Sequence, residues 1–164
     1  MGHTGIRTMV DGVVYRSRTE ALWAVAFKQW GWPAHYEALE LDGYLPDFVV
    51  AFPAGDLLVE IKGPVEDIEA AKIKIDCSQW GREALIMALP DRDVVGVIRE
   101  ASGEWGEARL FRCLSCGSVS VHTWDRSWHC RVCGASEGNS HVGEFDPFPD
   151  LAESANRVQW RRSA

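Results

Sequence analysis

Residues 44–62, YLPDFVVAFPAGDLLVEIK, leave few arrangements open to the chain. Two apolar runs, Asp47–Phe52 and Leu57–Lys62, flank the break Pro53-Ala54-Gly55-Asp56. β-branched and aromatic runs of strand length joined by turn formers read as a β-hairpin. With the turn centred on Ala54–Gly55, Phe52 pairs with Leu57 and Asp47 faces Lys62. Successive side chains alternate faces, and opposed residues share one. One face then carries Phe48, Val50, Phe52, Leu57, Val59 and Ile61, all apolar. The other carries Asp47, Val49, Ala51, Leu58, Glu60 and Lys62. The register that buries the first face therefore gathers Asp47, Glu60 and Lys62 at one end of the second, and a one-residue slip would lose both results. Pro46 has no N–H for a ladder and belongs at a strand entry, where it restricts Leu45 to an extended conformation.

The flanking segments supply helices. Ser17–Trp30 is the clearest: Ser17 is a good N-cap with Glu20 three residues on, a capping box, and Trp23, Phe27 and Trp30 recur at helical spacing. Gly31 and Pro33 stop it. Glu20 has two readings, a cap for its own helix or a carboxylate reaching the hairpin site. Upstream, DGVVYR is a short strand or an arm. His35–Leu41 reads as a strand. Beyond Gly63-Pro64, Val65–Trp80 reads as a second helix, with Glu66, Asp67 and Glu69 early, as the helix dipole favours, and Cys77 as a buried small hydrophobe. Ala84–Leu89 is an apolar run of strand length that fits a strand covered on both faces. Val94–Ile98 reads equally as a strand or a short helix.

The 164 residues suffice for one core with a small satellite. No apolar run approaches a membrane span, and the first ten residues hold no apolar signal region, so a cytoplasmic protein is expected. The net charge of −7 argues, alone, against a nucleic-acid binder. Bound cations or a local basic surface would lift that objection.

Four of the five cysteines form two CxxC pairs, Cys113/Cys116 and Cys130/Cys133, thirteen residues apart. Each CxxC turn brings two thiolates to one side of a metal, and two turns complete a tetrahedron around zinc. Gly117 and Gly134 follow the pairs, and Val119–Trp124 alternates like a strand, as in a zinc ribbon. Four thiolates leave no open position, so the zinc is expected to be structural. His122, His129 and His141 are alternative ligands or surface histidines. Trp124 and Trp128, with Arg126 and Arg131 nearby, would either stack on bases or cover a small core. Glu144–Asp150 reads as a proline-broken linker. Asp150–Arg162 reads as a short helix whose Arg157, Arg161 and Arg162 touch phosphate or simply face water.

Asp47 and Glu60 are hard oxygen donors suited to Mg²⁺ or Mn²⁺, and the Ile61 carbonyl between Glu60 and Lys62 is a candidate further ligand. Such an ion would polarise a phosphoryl oxygen and activate water, with Lys62 orienting that water or stabilising transition-state oxygens. The bland alternative is an exposed Glu60–Lys62 pair worth about 1 kcal/mol or less. Pro46-Asp47 followed by Glu60-x-Lys62 resembles the PD-(D/E)XK nuclease superfamily. The resemblance covers residues 15–90, and YRSRTEALWA, YLPDF and VEIKG look most like small nucleases of phages and mobile elements. It implies a restriction-endonuclease-like core of helix, three-strand meander, helix and strand. It also implies a catalytic set of Glu20, Asp47, Glu60 and Lys62, and a zinc ribbon that aids substrate binding.

The expected fold class is thus α/β (α+β), a mixed central sheet flanked by helices with a C-terminal zinc ribbon. The expected units are a nuclease-like core over 1–108, the Cys113/Cys116/Cys130/Cys133 ribbon over 109–138, and a linker with a short helix or tail over 139–164. The expected activity is Mg²⁺-dependent hydrolysis of DNA phosphodiesters, in a bacterial or phage-infected cell. DNA, including branched or single-stranded forms, and a second copy of the chain are the expected partners, with no membrane. The alternative is a non-catalytic nucleic-acid-binding or protein-interaction module stabilised by zinc.

Overall fold

Asp11 and Gly12 take positive φ, 49° and 82°, as a two-residue hairpin turn of mirror-image type requires. The DGVVYR segment therefore folds as a hairpin, β1 (Thr8–Val10) on β2 (Val13–Tyr15), rather than as a single strand or arm. The computed structural model describes residues 5–63, 68–91, 93–124, 128–136 and 140–158. Helix α1 (Arg18–Gln29) follows, with Ser17 as N-cap and Trp30 as C-cap. Strand β3 (Ala34–Tyr36) is shorter than the expected His35–Leu41, because Glu37 turns the chain at φ 46°.

The hairpin forms as β4 (Phe48–Phe52) and β5 (Gly55–Ile61), joined by Pro53–Ala54 alone. Phe52 pairs with Gly55 and Phe48 with Val59, a register two residues from the one expected. A shift of two keeps every side chain on its face. Continuing the ladder by one step, however, sets Asp47 level with Glu60 rather than Lys62. Helix α2 (Ile68–Cys77) buries Ala71 and Ile75; the expected start, with Glu66 and Asp67, lies outside the described residues. Cys77 is exposed, not buried. It sits two positions past Ile75, about 200° around the helix from the packed stripe.

Strand β6 (Ala84–Asp91) runs parallel to β5, and β7 (Val94–Arg99) settles the ambiguous VVGVI as strand. Strands β8 (Trp105–Cys113), β9 (Val119–Thr123) and β10 (Val142–Gly143) complete the sheet, and α3 (Phe148–Arg157) follows. The main sheet runs β10-β8-β7-β6-β5-β4-β3, with β9 on β8. All its pairings are antiparallel except β5–β6. The fold is thus mixed α+β, a mostly antiparallel sheet flanked by helices.

Two apolar layers sandwich the sheet. On one face, Trp23 and Phe27 of α1 and its C-cap Trp30 pack with Phe48, Val50, Phe52, Leu57 and Val59, and Leu151 of α3 joins them. On the other, Ala71 and Ile75 of α2 meet Leu58, Ala84 and Ile86. Residues 84–87 are fully buried because consecutive side chains enter opposite layers. The 108/109 boundary expected between core and ribbon falls inside β8. The expected linker is packed as well: Phe145 lies edge-on to Trp30 at 5.6 Å, and the Trp30 indole donates to Asp150 Oδ2 at 2.8 Å.

Candidate active site and metal centre

Asp47 lies at the mouth of β4, where its carbonyl accepts the Glu37 N–H at 2.9 Å. Its carboxylate is 5% exposed and has each oxygen engaged. Oδ2 accepts the Ile61 N–H at 2.7 Å, and Oδ1 accepts Arg16 Nη2 at 2.7 Å. Glu60, 6% exposed, accepts the Tyr44 hydroxyl on Oε2 at 2.8 Å and Lys62 Nζ on Oε1 at 3.0 Å. The hairpin thus brings Asp47, Glu60 and Lys62 to one end. Ile61 reaches Asp47 through its N–H.

Glu20 caps its helix and also faces this site. Ser17 Oγ accepts the Glu20 N–H at 3.1 Å and donates to Oε1 at 2.8 Å. Oε2 looks the other way, accepting the Tyr36 hydroxyl at 2.6 Å and the Arg16 N–H at 3.1 Å. Arg16 spans the group: Nη2 holds Asp47, and Nε lies 2.7 Å from Glu37 Oε1.

Crowded acids in a buried place repel one another and resist ionisation. Burial first, then the charge on Glu60, pushes the Asp47 carboxyl up to about 7; Glu20 adds to the rise, while the Ile61 N–H and Arg16 oppose it. Burial and Glu60 likewise raise the Tyr44 phenol, which keeps it a donor. The donor chemistry at Asp47 and Glu60, ionisable oxygens with excess negative charge, fits a hard divalent cation. Among the described residues the only cluster of three or more metal-type donors is that of the cysteines. An ion here would accordingly meet a pair of these carboxylates rather than a closed cage.

Arg16, Tyr36, Glu37 and Tyr44 escaped the sequence reading. Tyr44 sits two residues before Pro46 and Arg16 one before the cap Ser17, so proximity to motif residues was the available signal. No periodicity marks any of the four.

The four cysteines converge as expected, all Sγ atoms within 4.8 Å of one another. Cys113–Cys133 and Cys116–Cys130 are each 3.7 Å apart. Zn–S bonds of about 2.3 Å in a tetrahedron require sulfurs about 3.8 Å apart, so the cluster fits zinc. The histidines stand outside it. His122 Nε2 lies 3.1 Å from His129 Nδ1, and His141 is buried near Phe111.

Trp128 is buried against Phe111, whereas Trp124 is 62% exposed with the Arg109 guanidinium 4.3 Å from its ring centre. Arg131 is no surface residue: it is 1% exposed, paired with Glu83, and its Nε donates to the Val121 carbonyl at 3.0 Å. Arg157 pairs with Glu153, while Arg126, Arg161 and Arg162 lie outside the described residues. Among the described residues no helix is long and apolar enough to cross a membrane. No family model, curated protein or solved structure matches the chain.

Proposed function

We propose that the chain is a divalent-metal-dependent nuclease that hydrolyses DNA phosphodiesters. The observation that carries this reading is that buried Asp47 and Glu60 meet half-buried Lys62 where β4 and β5 open. Support comes also from element order: α1, the antiparallel run β3-β4-β5, α2 and the parallel strand β6 follow the restriction-endonuclease-like sequence of helix, meander, helix and strand.

A Mg²⁺ or Mn²⁺ ion held by Asp47 and Glu60, with the Ile61 carbonyl as a further ligand, would supply the charge that polarises a phosphoryl oxygen and activates water. The chain's own residues prepare that place. Tyr44 fixes the Glu60 carboxylate, and the Ile61 N–H fixes one oxygen of Asp47. The Lys62 ammonium, 3.0 Å from Glu60, supplies a positive charge for the attacking water or the transition-state oxygens. Glu20 adds negative charge from α1. The cysteine cluster holds structural zinc, and exposed Trp124 over Arg109 offers a base a stacking surface.

The test is a cleavage panel of duplex, single strand, flap, junction and RNA with Mg²⁺. DNA cleavage should occur and fall at least about 100-fold in Asp47→Asn and in Lys62→Ala, with the fold retained. Full activity in either variant would sink the assigned roles. The Arg16–Asp47 ion pair favours a second reading, a non-catalytic module in which the acids are structural. That reading expects no cleavage of any substrate.

A further inference from the structure

Arg16 occupies the Asp47 oxygen that the backbone leaves untaken. Oδ2 accepts the backbone N–H of Ile61, and Oδ1 accepts the Arg16 guanidinium at 2.7 Å. The arginine is placed by backbone as well as by charge. Its own N–H donates to Glu20 Oε2 at 3.1 Å and to the Tyr36 hydroxyl at 3.0 Å. The residue joins β2 to the cap of α1, so its main chain is anchored while its side chain is 51% exposed. The second arm is looser: Nε and Glu37 Oε1 are 2.7 Å apart, but their geometry is not that of a hydrogen bond. Glu37 holds its carboxylate there from a left-handed backbone conformation that its side chain type rarely adopts.

From this we propose that Arg16 is a built-in counter-cation, which neutralises the acidic site before metal arrives and must release Asp47 Oδ1 when a divalent ion binds. The proposal rests on the divalent-metal reading above. Three carboxylates act on the guanidinium, those of Asp47, Glu37 and Glu20, and Glu60 in turn acts on Asp47. Without a cation these negative charges would repel one another. A flexible, permanently charged guanidinium supplies that cation, and its planar fork spans the oxygens of Asp47 and Glu37. A divalent ion offers twice the charge to the same oxygen and displaces it. The freed arginine, still tied to Glu37, then lies beside the ion with donors that match a phosphate.

The consequence is a competition that can be measured without catalysis. Mn²⁺ binding to the full zinc-loaded chain is followed by calorimetry and by the electron paramagnetic resonance of free Mn²⁺. Arg16→Gln should bind Mn²⁺ about tenfold more tightly than wild type, as removal of one competing charge from a half-exposed site implies. Its melting temperature should rise more on Mn²⁺ addition than that of the wild type. Arg16→Lys, which keeps the charge but cannot span both carboxylates, should fall between the two. It also preserves the test if Arg16→Gln folds poorly. Equal or weaker Mn²⁺ binding in the variants would overturn the counter-cation role and leave the nuclease reading standing. Absence of Mn²⁺ binding in every chain, or binding undiminished by Asp47→Asn, would overturn the nuclease reading along with it.

Discussion

Glu60 Oε2 is held by the Tyr44 hydroxyl while Lys62 takes Oε1, and both Tyr44 and Glu60 are buried. A hydrogen bond to a charged, buried acceptor contributes about 1.5–3 kcal/mol, so Tyr44→Phe should lower stability to urea by that amount. A loss under 0.5 kcal/mol (the ~0.5 range of ordinary surface changes) would mean that Glu60 finds another donor. Asp47 gives a pH signature. Its carboxyl titrates near 7 in the folded chain, against about 3.9 when unfolded. Between those values the folded state holds the proton that the unfolded state releases, so this contribution favours folding at about pH 4 and is lost as pH rises through about 7. Urea unfolding with metal chelated from the acidic site should therefore show wild type losing more stability over that interval than Asp47→Asn. Identical slopes would show that Asp47 is not held protonated. The bonds that Asp47 makes to Ile61 and Arg16, and Glu60 to Tyr44, span 14, 31 and 16 positions, and no local pattern announces them.

Strands and helices were easier to read, for reasons visible in the hairpin. Phe48, Val50, Phe52, Leu57 and Val59 alternate so cleanly that the buried face followed from sequence, as did the convergence of Asp47, Glu60 and Lys62. The register did not, because Pro-Ala-Gly-Asp permits turns that differ by two residues with no change of face. Helix α1 announced itself through Ser17 and Trp23/Phe27/Trp30. In α2 only Cys77 misled: its hydrophobicity suggested burial, but it lies off the Ala71/Ile75 stripe. Strand β7 carries a constraint invisible in composition. Gly96 has φ 142°, and a Cβ there would come within 1.9 Å of the Ile86 carbonyl oxygen on β6. Gly96→Ala should cost at least about 2 kcal/mol in urea unfolding, from strain and from forced separation of the strands. A neutral substitution would mean that β6 and β7 part easily.

Across the molecule, the cysteine cluster is not hung from the core by a tether. β8 runs from the sheet to Cys113 without a break. Arg131, between Cys130 and Cys133, pairs with Glu83 at the start of β6, and its carbonyl accepts the N–H of Ala54 in the β4–β5 turn at 3.2 Å. Loss of zinc should therefore be felt in the main sheet. Chelation, or Cys113→Ser, should lower the melting temperature of the whole chain in one cooperative transition; a separate, unshifted core transition would show two independent units. The aromatic seam has a further consequence, in time. The Trp30 indole meets Asp150 120 positions away, and the Trp32 indole meets the Val119 carbonyl 87 positions away. Such distant partners must be found by slow closure of long loops. The hairpin and its neighbouring helix can form early from local contacts, but α1 gains its outer cover only when the ribbon and α3 come home. The two tryptophans should thus be among the last groups to leave water as the chain folds.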